Sequence, residues 1–110
     1  MNFTTERLEN TLRIRLQGEI DHYGASEVRA RIDDALEAER PAALLLNLSA
    51  VSFCDSSGLG LVMGRLRKCE RLGIRMTVED PSDAVKKILR IAGMDKLIRT
   101  ERSEDNGKAS

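Results

Sequence analysis

The sequence predicts an α/β domain, and three observations carry that prediction. Segments with an apolar period of two alternate with segments of helical period, an unbroken apolar run sits mid-chain at Leu44-Leu45-Leu46, and proline or glycine punctuates the junctions. The implied order is strand, strand, helix, strand, helix, strand, helix, strand. Strands separated by helices pair in parallel through right-handed crossovers, which gives a mixed sheet of four to five strands with helices packed on it.

The first hairpin comes from Phe3 to Leu8, a weakly patterned extended segment, and from Thr11 to Gln17, where Leu12, Ile14 and Leu16 alternate with Arg13, Arg15 and Gln17. Glu9-Asn10 supplies the turn chemistry between them. From Ala25, the positions Val28, Ile32, Ala35 and Leu36 recur at helical spacing to about Ala38, and Pro41 stops that helix. Ala43 to Leu48 then suits a central parallel strand buried on both faces, and Ser49 to Ser56 is expected to be a loop. Gly58 to Leu72 places Leu59, Val62, Met63, Leu66 and Cys69 on one stripe and ends at Gly73, a natural cap. Ile74, Met76 and Val78 alternate with Arg75, Thr77 and Glu79 as a half-buried strand. Pro81-Ser82 opens a third helix with the stripe Val85, Ile88, Leu89 and Ala92, which Gly93 ends. A last short strand is expected at Leu97-Ile98. Residues 1–100 form the domain, and 101–110, without a large apolar side chain, are expected to be a frayed tail.

Composition bounds the function. A chain of 110 residues supports one domain, and 41% apolar with 33% charged residues is the balance of a globular protein. Lys plus Arg equals Asp plus Glu at 18 each, so no net field gathers nucleic acid or anionic lipid. Aromatics at 3% with no Trp leave few stacking platforms for single strands. No run approaches the roughly 18 apolar residues of a membrane span, and Met1-Asn2-Phe3-Thr4-Thr5 lacks a basic stretch followed by an apolar run, so the expected location is the cytoplasm, without membrane contact. Cys54 and Cys69 form neither a CxxC motif nor a zinc set, so no metal and no cofactor is expected, and Met63 and Met94 read as core fillers.

The stretch Asp55-Ser56-Ser57-Gly58-Leu59-Gly60 lies where the central strand hands over to the second helix, at the edge where open α/β sheets bind ligands. A serine at a helix start caps backbone N–H groups, and a phosphate on Ser57 is expected to accept from those same donors while the helix dipole favours its charge. Glu19 and Asp21 read as loop carboxylates, with Asp21 on the same sheet edge as Ser57 and placed to orient its hydroxyl or to meet a partner. Gly58, Gly60 and Gly64 each give up about 1 kcal/mol relative to alanine in a helix, for close packing or for a smooth approach surface. Their GxGxxxG spacing is not a dinucleotide fingerprint. His22 is the only histidine, and Cys54-Asp55-Ser56-Ser57-Gly58 lacks the first glycine of a nucleophile elbow, so no catalytic residue is assigned.

Gly18-Glu19-Ile20-Asp21-His22, Asn47-Leu48-Ser49, Val51, Phe53 and Asp55-Ser56-Ser57-Gly58-Leu59-Gly60 together resemble the STAS family in order and spacing, over roughly Leu12 to Arg99. The resemblance implies an anti-sigma factor antagonist that works by partner switching and is not an enzyme. The bare protein would bind an anti-sigma factor of the GHKL serine-kinase type, Ser57 would be the phosphoacceptor, and a PP2C-type phosphatase would reset it. Asp21, His22, Asp55, Ser56, Gly58, Leu59 and Gly60 would contact the partner, with the chain itself a monomer or weak dimer. A scaffold or regulatory domain of a stress-signalling complex is the alternative. Where the first helix of a relative in that family begins with a hydroxyl residue, this chain has Gly24, a weaker cap, and residues 101–110 cannot bury the apolar C-terminal helix that the same relative has.

Overall fold

In the computed structural model, which describes residues 1–103, β1 (Asn2–Leu8) turns back through Glu9-Asn10 onto β2 (Thr11–Ile20), pairing Leu8 with Thr11 and Asn2 with Gln17. Glu9 takes a positive φ of 58° in this two-residue connection, as tight hairpins demand. There follow α1 (His22–Glu39), β3 (Ala43–Cys54), α2 (Ser56–Leu72), β4 (Arg75–Glu79), α3 (Asp83–Ile91) and β5 (Thr100–Glu101). The five strands lie in sequence order, with β1 antiparallel to β2 and every later pair parallel. A sheet that steps steadily one way through right-handed crossovers stacks all its helices on one face. The burial of β2 agrees: Leu12, Ile14 and Leu16 are buried, while Arg15 and Gln17 point to the open face.

One apolar cluster fills the space between sheet and helices. It joins Leu44, Leu46 and Leu48 of β3 and Met76 and Val78 of β4 to Val28, Ile32 and Leu36 of α1, Leu61, Val62 and Cys69 of α2, and Val85 and Leu89 of α3. Met63 and Met94 pack against it from the margin, as expected. Gly73 ends α2 at φ 74°, and its neighbour Ile74 donates to the Cys69 carbonyl at 2.8 Å, closing the helix in a left-handed cap that glycine adopts without steric cost.

Several boundaries differ from the sequence reading. β3 runs through Ser49 to Cys54, where a loop was expected. Between Arg15/Gln17 and again between Gly18/Glu19 the register slips, so β3 carries two more residues than the β2 segment it faces. These bulges destroy the two-residue period by which a strand is recognised. α1 begins at His22 and α2 at Ser56, earlier than Ala25 and Gly58. The cap of α1 is Asp21, whose Oδ1 accepts from the Gly24 N–H at 2.8 Å; Gly24 itself lies inside the first turn. Leu97-Ile98 lies in a turn, where Leu97 and Ile98 both donate to the Met94 carbonyl. The last strand is Thr100–Glu101, paired with Val78 and Glu79. Ser103 donates to Asp80 from its backbone N–H at 2.9 Å and from its hydroxyl, tying the first residues beyond 100 to the sheet. The rest of the segment expected to fray, 104–110, lies outside the described residues.

Neither Thr77 nor Glu79 is half-exposed as the alternation suggested; Glu79 is 1% exposed. Arg13 holds it in a bidentate fork, Nε to Oε1 at 2.8 Å and Nη2 to Oε2 at 2.9 Å, and Asn47 Nδ2 donates to Oε1 at 2.9 Å. Asn47 Oδ1 in turn accepts from the Ser49 N–H and hydroxyl at 3.1 and 2.7 Å. The Asn47-Leu48-Ser49 motif therefore locks three adjacent strands together. Burial pushes the thiols of both Cys54 and Cys69 up to about 11, which disfavours the thiolate form.

Two measurements check this account. Arg13→Ala strands the Glu79 carboxylate and is expected to cost about 2–4 kcal/mol in urea unfolding, whereas Glu6→Gln, at the exposed partner of the same arginine, should change stability by less than about 1 kcal/mol. Alkylation of the two thiols at pH 8 should run on the order of a hundredfold slower in the folded chain than in the urea-unfolded one, because the thiolate is the reactive form.

Candidate functional site

Parallel pairing puts the ends of β2 and β3 side by side. Ile20 pairs with Cys54, and the Asp55 N–H donates to the Ile20 carbonyl at 3.3 Å. Each strand hands over to a helix through an aspartate in an extended conformation. Asp21 caps α1 and Asp55 caps α2, the Asp55 Oδ1 accepting from the Ser57 N–H at 2.8 Å. The two carboxylates thus satisfy two otherwise orphan backbone donors and place negative charge at the positive ends of two neighbouring helices.

Ser57 is accordingly not the cap. It is the second residue of α2, half-buried, and its hydroxyl has no hydrogen-bond partner among the described residues. Its own N–H is held by Asp55, and the N–H groups of Gly58 and Leu59 go to the Asp55 carbonyl at 3.0 and 3.2 Å. In the bare chain the Ser57, Gly58 and Leu59 N–H groups, which a phosphate on Ser57 was expected to use, are already engaged by Asp55. The idea that Asp21 orients the hydroxyl finds no contact either, since Asp21 Oδ1 is engaged with Gly24.

The glycines of the motif divide by role. A Cβ at Gly58 would stand 2.4 Å from Cys54 Sγ and 3.0 Å from Ile20 Cγ2, so only glycine lets α2 start this close to the strand ends. Gly60 and Gly64 face open space, with no atom within 4 Å of an added Cβ. They are bare backbone on a groove of about 360 Å³ between α1 and α2, which His22, Ser26 and Arg29 wall from one side and Ser57 and Arg65 from the other. Ser56 is exposed, and Leu59 is half-buried against the core. His22 is exposed and meets the ring of Tyr23 edge-on at 5.6 Å.

The sequence reading missed three features. Arg65 occupies a buried position on the inward stripe of α2, which runs through Gly58, Leu61, Val62, Arg65 and Cys69. Its Nε lies 2.8 Å from Asp33 Oδ1, while burial lowers its pKa. Arg29 stands beside it in the groove. The signal was present in the sequence, since an arginine in register with Leu61 and Val62 interrupts an apolar stripe. The third feature is an exposed apolar patch, Phe53 at the end of β3 and Ile91 at the end of α3, which with Cys54 and Ile88 lines a second groove of about 430 Å³. Among the described residues there is no cluster of metal-ligating side chains, and no helix is long and apolar enough to cross a membrane.

Comparison with known proteins agrees with this architecture. The chain is 37% identical over 95 residues to the anti-sigma F factor antagonist of Lysinibacillus sphaericus, covering 86% of this chain and 81% of that one. It superposes on the structure of the anti-sigma factor antagonist SpoIIAA in its unphosphorylated form with a TM-score of 0.78 at 33% identity, covering 96% and 92% of the two chains. The phosphorylated form of the Bacillus cell fate determinant SpoIIAA matches with a TM-score of 0.72 at 31% identity, covering 98% and 97%. Residues 2–107 match the STAS domain, and with the hairpin, the parallel order and the two aspartate-capped helix starts in place, the chain belongs to the STAS domain family.

Proposed function

We propose that this chain is a cytoplasmic anti-sigma factor antagonist whose Ser57 is the switch. In the bare state it binds an anti-sigma factor of the GHKL serine-kinase type and so frees a sigma factor. The observation that carries this reading is the state of Ser57: a hydroxyl with no hydrogen-bond partner among the described residues, on the second residue of a helix whose cap is already supplied by Asp55. Nothing in the fold needs that hydroxyl, and it is open to a kinase.

The chemistry follows from this placement. The kinase transfers the terminal phosphoryl group of ATP to Ser57 Oγ; the new O–P bond forms as the bond to ADP breaks, and the hydroxyl proton is released. A phosphoserine brings roughly −1.5 to −2 charge. At the second position of a helix that charge is favoured by the dipole, so the domain stays folded. A partner docked over Asp21, His22, Asp55, Ser56, Leu59 and Gly60, with Gly58 holding the helix start in place, would have to desolvate a dianion beside two carboxylates. Burying unpaired charge costs several kcal/mol, and about 1.4 kcal/mol is a tenfold loss of affinity. A phosphatase of the PP2C type restores the hydroxyl. The support from relatives is their naming as anti-sigma factor antagonists and the existence of both phosphorylated and unphosphorylated structures of a protein of the same fold. A scaffold role in a stress-signalling complex would instead show as co-purification in a large particle.

Ser57→Ala should bind the anti-sigma factor at the strength of the bare chain and accept no phosphate from the kinase. Ser57→Asp should keep its circular dichroism spectrum and bind at least about thirtyfold more weakly, the effect of roughly 2 kcal/mol. Phosphate incorporation into the Ser57→Ala chain, or equal capture of the partner by bare and phosphorylated protein, overturns the assignment.

A further inference from the structure

The groove between α1 and α2 holds a charge imbalance that docking alone does not explain. Two guanidinium groups, Arg29 and Arg65, line it together with His22, and the one carboxylate paired there, Asp33, pairs with Arg65. Arg65 Nε lies 2.8 Å from Asp33 Oδ1 as an ion pair without hydrogen-bond geometry. Arg65 is 7% exposed, and its Nη1 is buried without a hydrogen-bond partner. Arg29 has no ion-pair partner among the described residues, and its positive charge further disfavours protonation of Arg65. A groove with more cationic donors than acceptors is built to receive an anion.

The register of the fold says which anion. Because Ile20 pairs with Cys54, the caps Asp21 and Asp55 stand level, α1 and α2 run side by side in the same direction, and Ser57 lies level with Tyr23. Arg29 is then six residues further along, about 9 Å at 1.5 Å per residue. Side chains on a helix lean toward its N-terminus, so an arginine at position 29 has the length to extend back along the groove that Ser57 and Gly60 also line. We infer that this groove is an intramolecular seat for the phosphoryl group carried by Ser57, with Arg29 as its principal donor and the Ser26 hydroxyl and His22 ring at its sides.

This rests on the phosphoacceptor reading of Ser57 and deepens it. Phosphorylation then acts twice, by adding charge at the helix start and by filling the groove and withdrawing Arg29 from the surface offered to a partner. The charged groups of the elements packed around Ser57 are His22 and Arg29 of α1 and Arg65 of α2 in the groove, Asp33 paired with Arg65, and the caps Asp21 and Asp55 with Glu19 at the strand ends.

The test uses the full chain with phosphoserine inserted at position 57 during translation, and reads the second ionisation of the phosphate by phosphorus NMR titration. Helix dipole and neighbouring carboxylates are common to all variants, so the comparison isolates Arg29. The expected result is a phosphate proton affinity at least about threefold lower in the unmutated chain than in Arg29→Gln, roughly half a pKa unit, with Arg29→Lys recovering part of the difference. Raising the salt from 0.05 to 0.5 M should shrink the gap, as screening requires. Arg29 is exposed, so Arg29→Gln should fold, and circular dichroism verifies that it does. Equal titration curves in the folded unmutated and Arg29→Gln chains overturn the seat. Partner capture by bare and phosphorylated protein is measured separately: equal capture overturns the switch and leaves the titration result standing, whereas equal titration with unequal capture overturns the seat alone.

Discussion

The parallel pairing of Ile20 with Cys54 is the constraint on which the site depends. It brings two strand ends level, so two aspartates leave the sheet together and each starts a helix. It also presses α2 against its own strand so closely that position 58 tolerates only a hydrogen as side chain. With Gly58 turned inward and the Asp55 carboxylate engaged with the Ser57 N–H, the serine between them is positioned by its neighbours and not by its own hydroxyl. A hydroxyl that contributes nothing to its own placement can be esterified without disturbing the structure that presents it.

Stability and switching are separated in space. The buried Glu79, with Arg13 and Asn47 around it, ties β2, β3 and β4 together on the sheet face away from the helices. A charge added at the start of α2 does not touch that network. The apolar cluster lies between the two, filling the other face of the sheet with aliphatic side chains. The domain can therefore change its surface chemistry while its fold remains the same, which is what the two states of a binding switch require.

The glycines near Ser57 illustrate how one motif serves two ends. Gly58 is demanded by contact with Cys54 and Ile20, a packing requirement. Gly60 and Gly64 meet no such contact and carry the helix-propensity penalty for another reason. Side chains there would narrow the groove shared by Ser57, Arg29 and Arg65. Ser57, the open backbone and the excess positive charge thus belong to one surface, and the proposed phosphorylation would change all of it.

How much of this was legible before the coordinates follows from the range of each interaction. Period-two and helical patterns at Leu12–Leu16, Val28–Leu36 and Val85–Leu89 reported the hairpin strand and two helices, and the Pro and Gly stops were correct because those residues act through their own backbone. The motif Asp55 to Gly60 stood out by composition alone. The strand through Ser49 to Cys54 was hidden because two bulges, set by pairing with β2, erase the local period. The last strand shifted from Leu97-Ile98 to Thr100–Glu101 because its place is decided by the edge of β4 and not by its own residues. Likewise Asp21 and Asp55 displaced Gly24 and Ser57 as caps once backbone angles were known. Above all, residues 29 and 57 are far apart in sequence and share a groove only because β2 and β3 align. Chemistry carried by one residue or its near neighbours can be read along the chain; chemistry shared across helices exists only after the sheet has set their register.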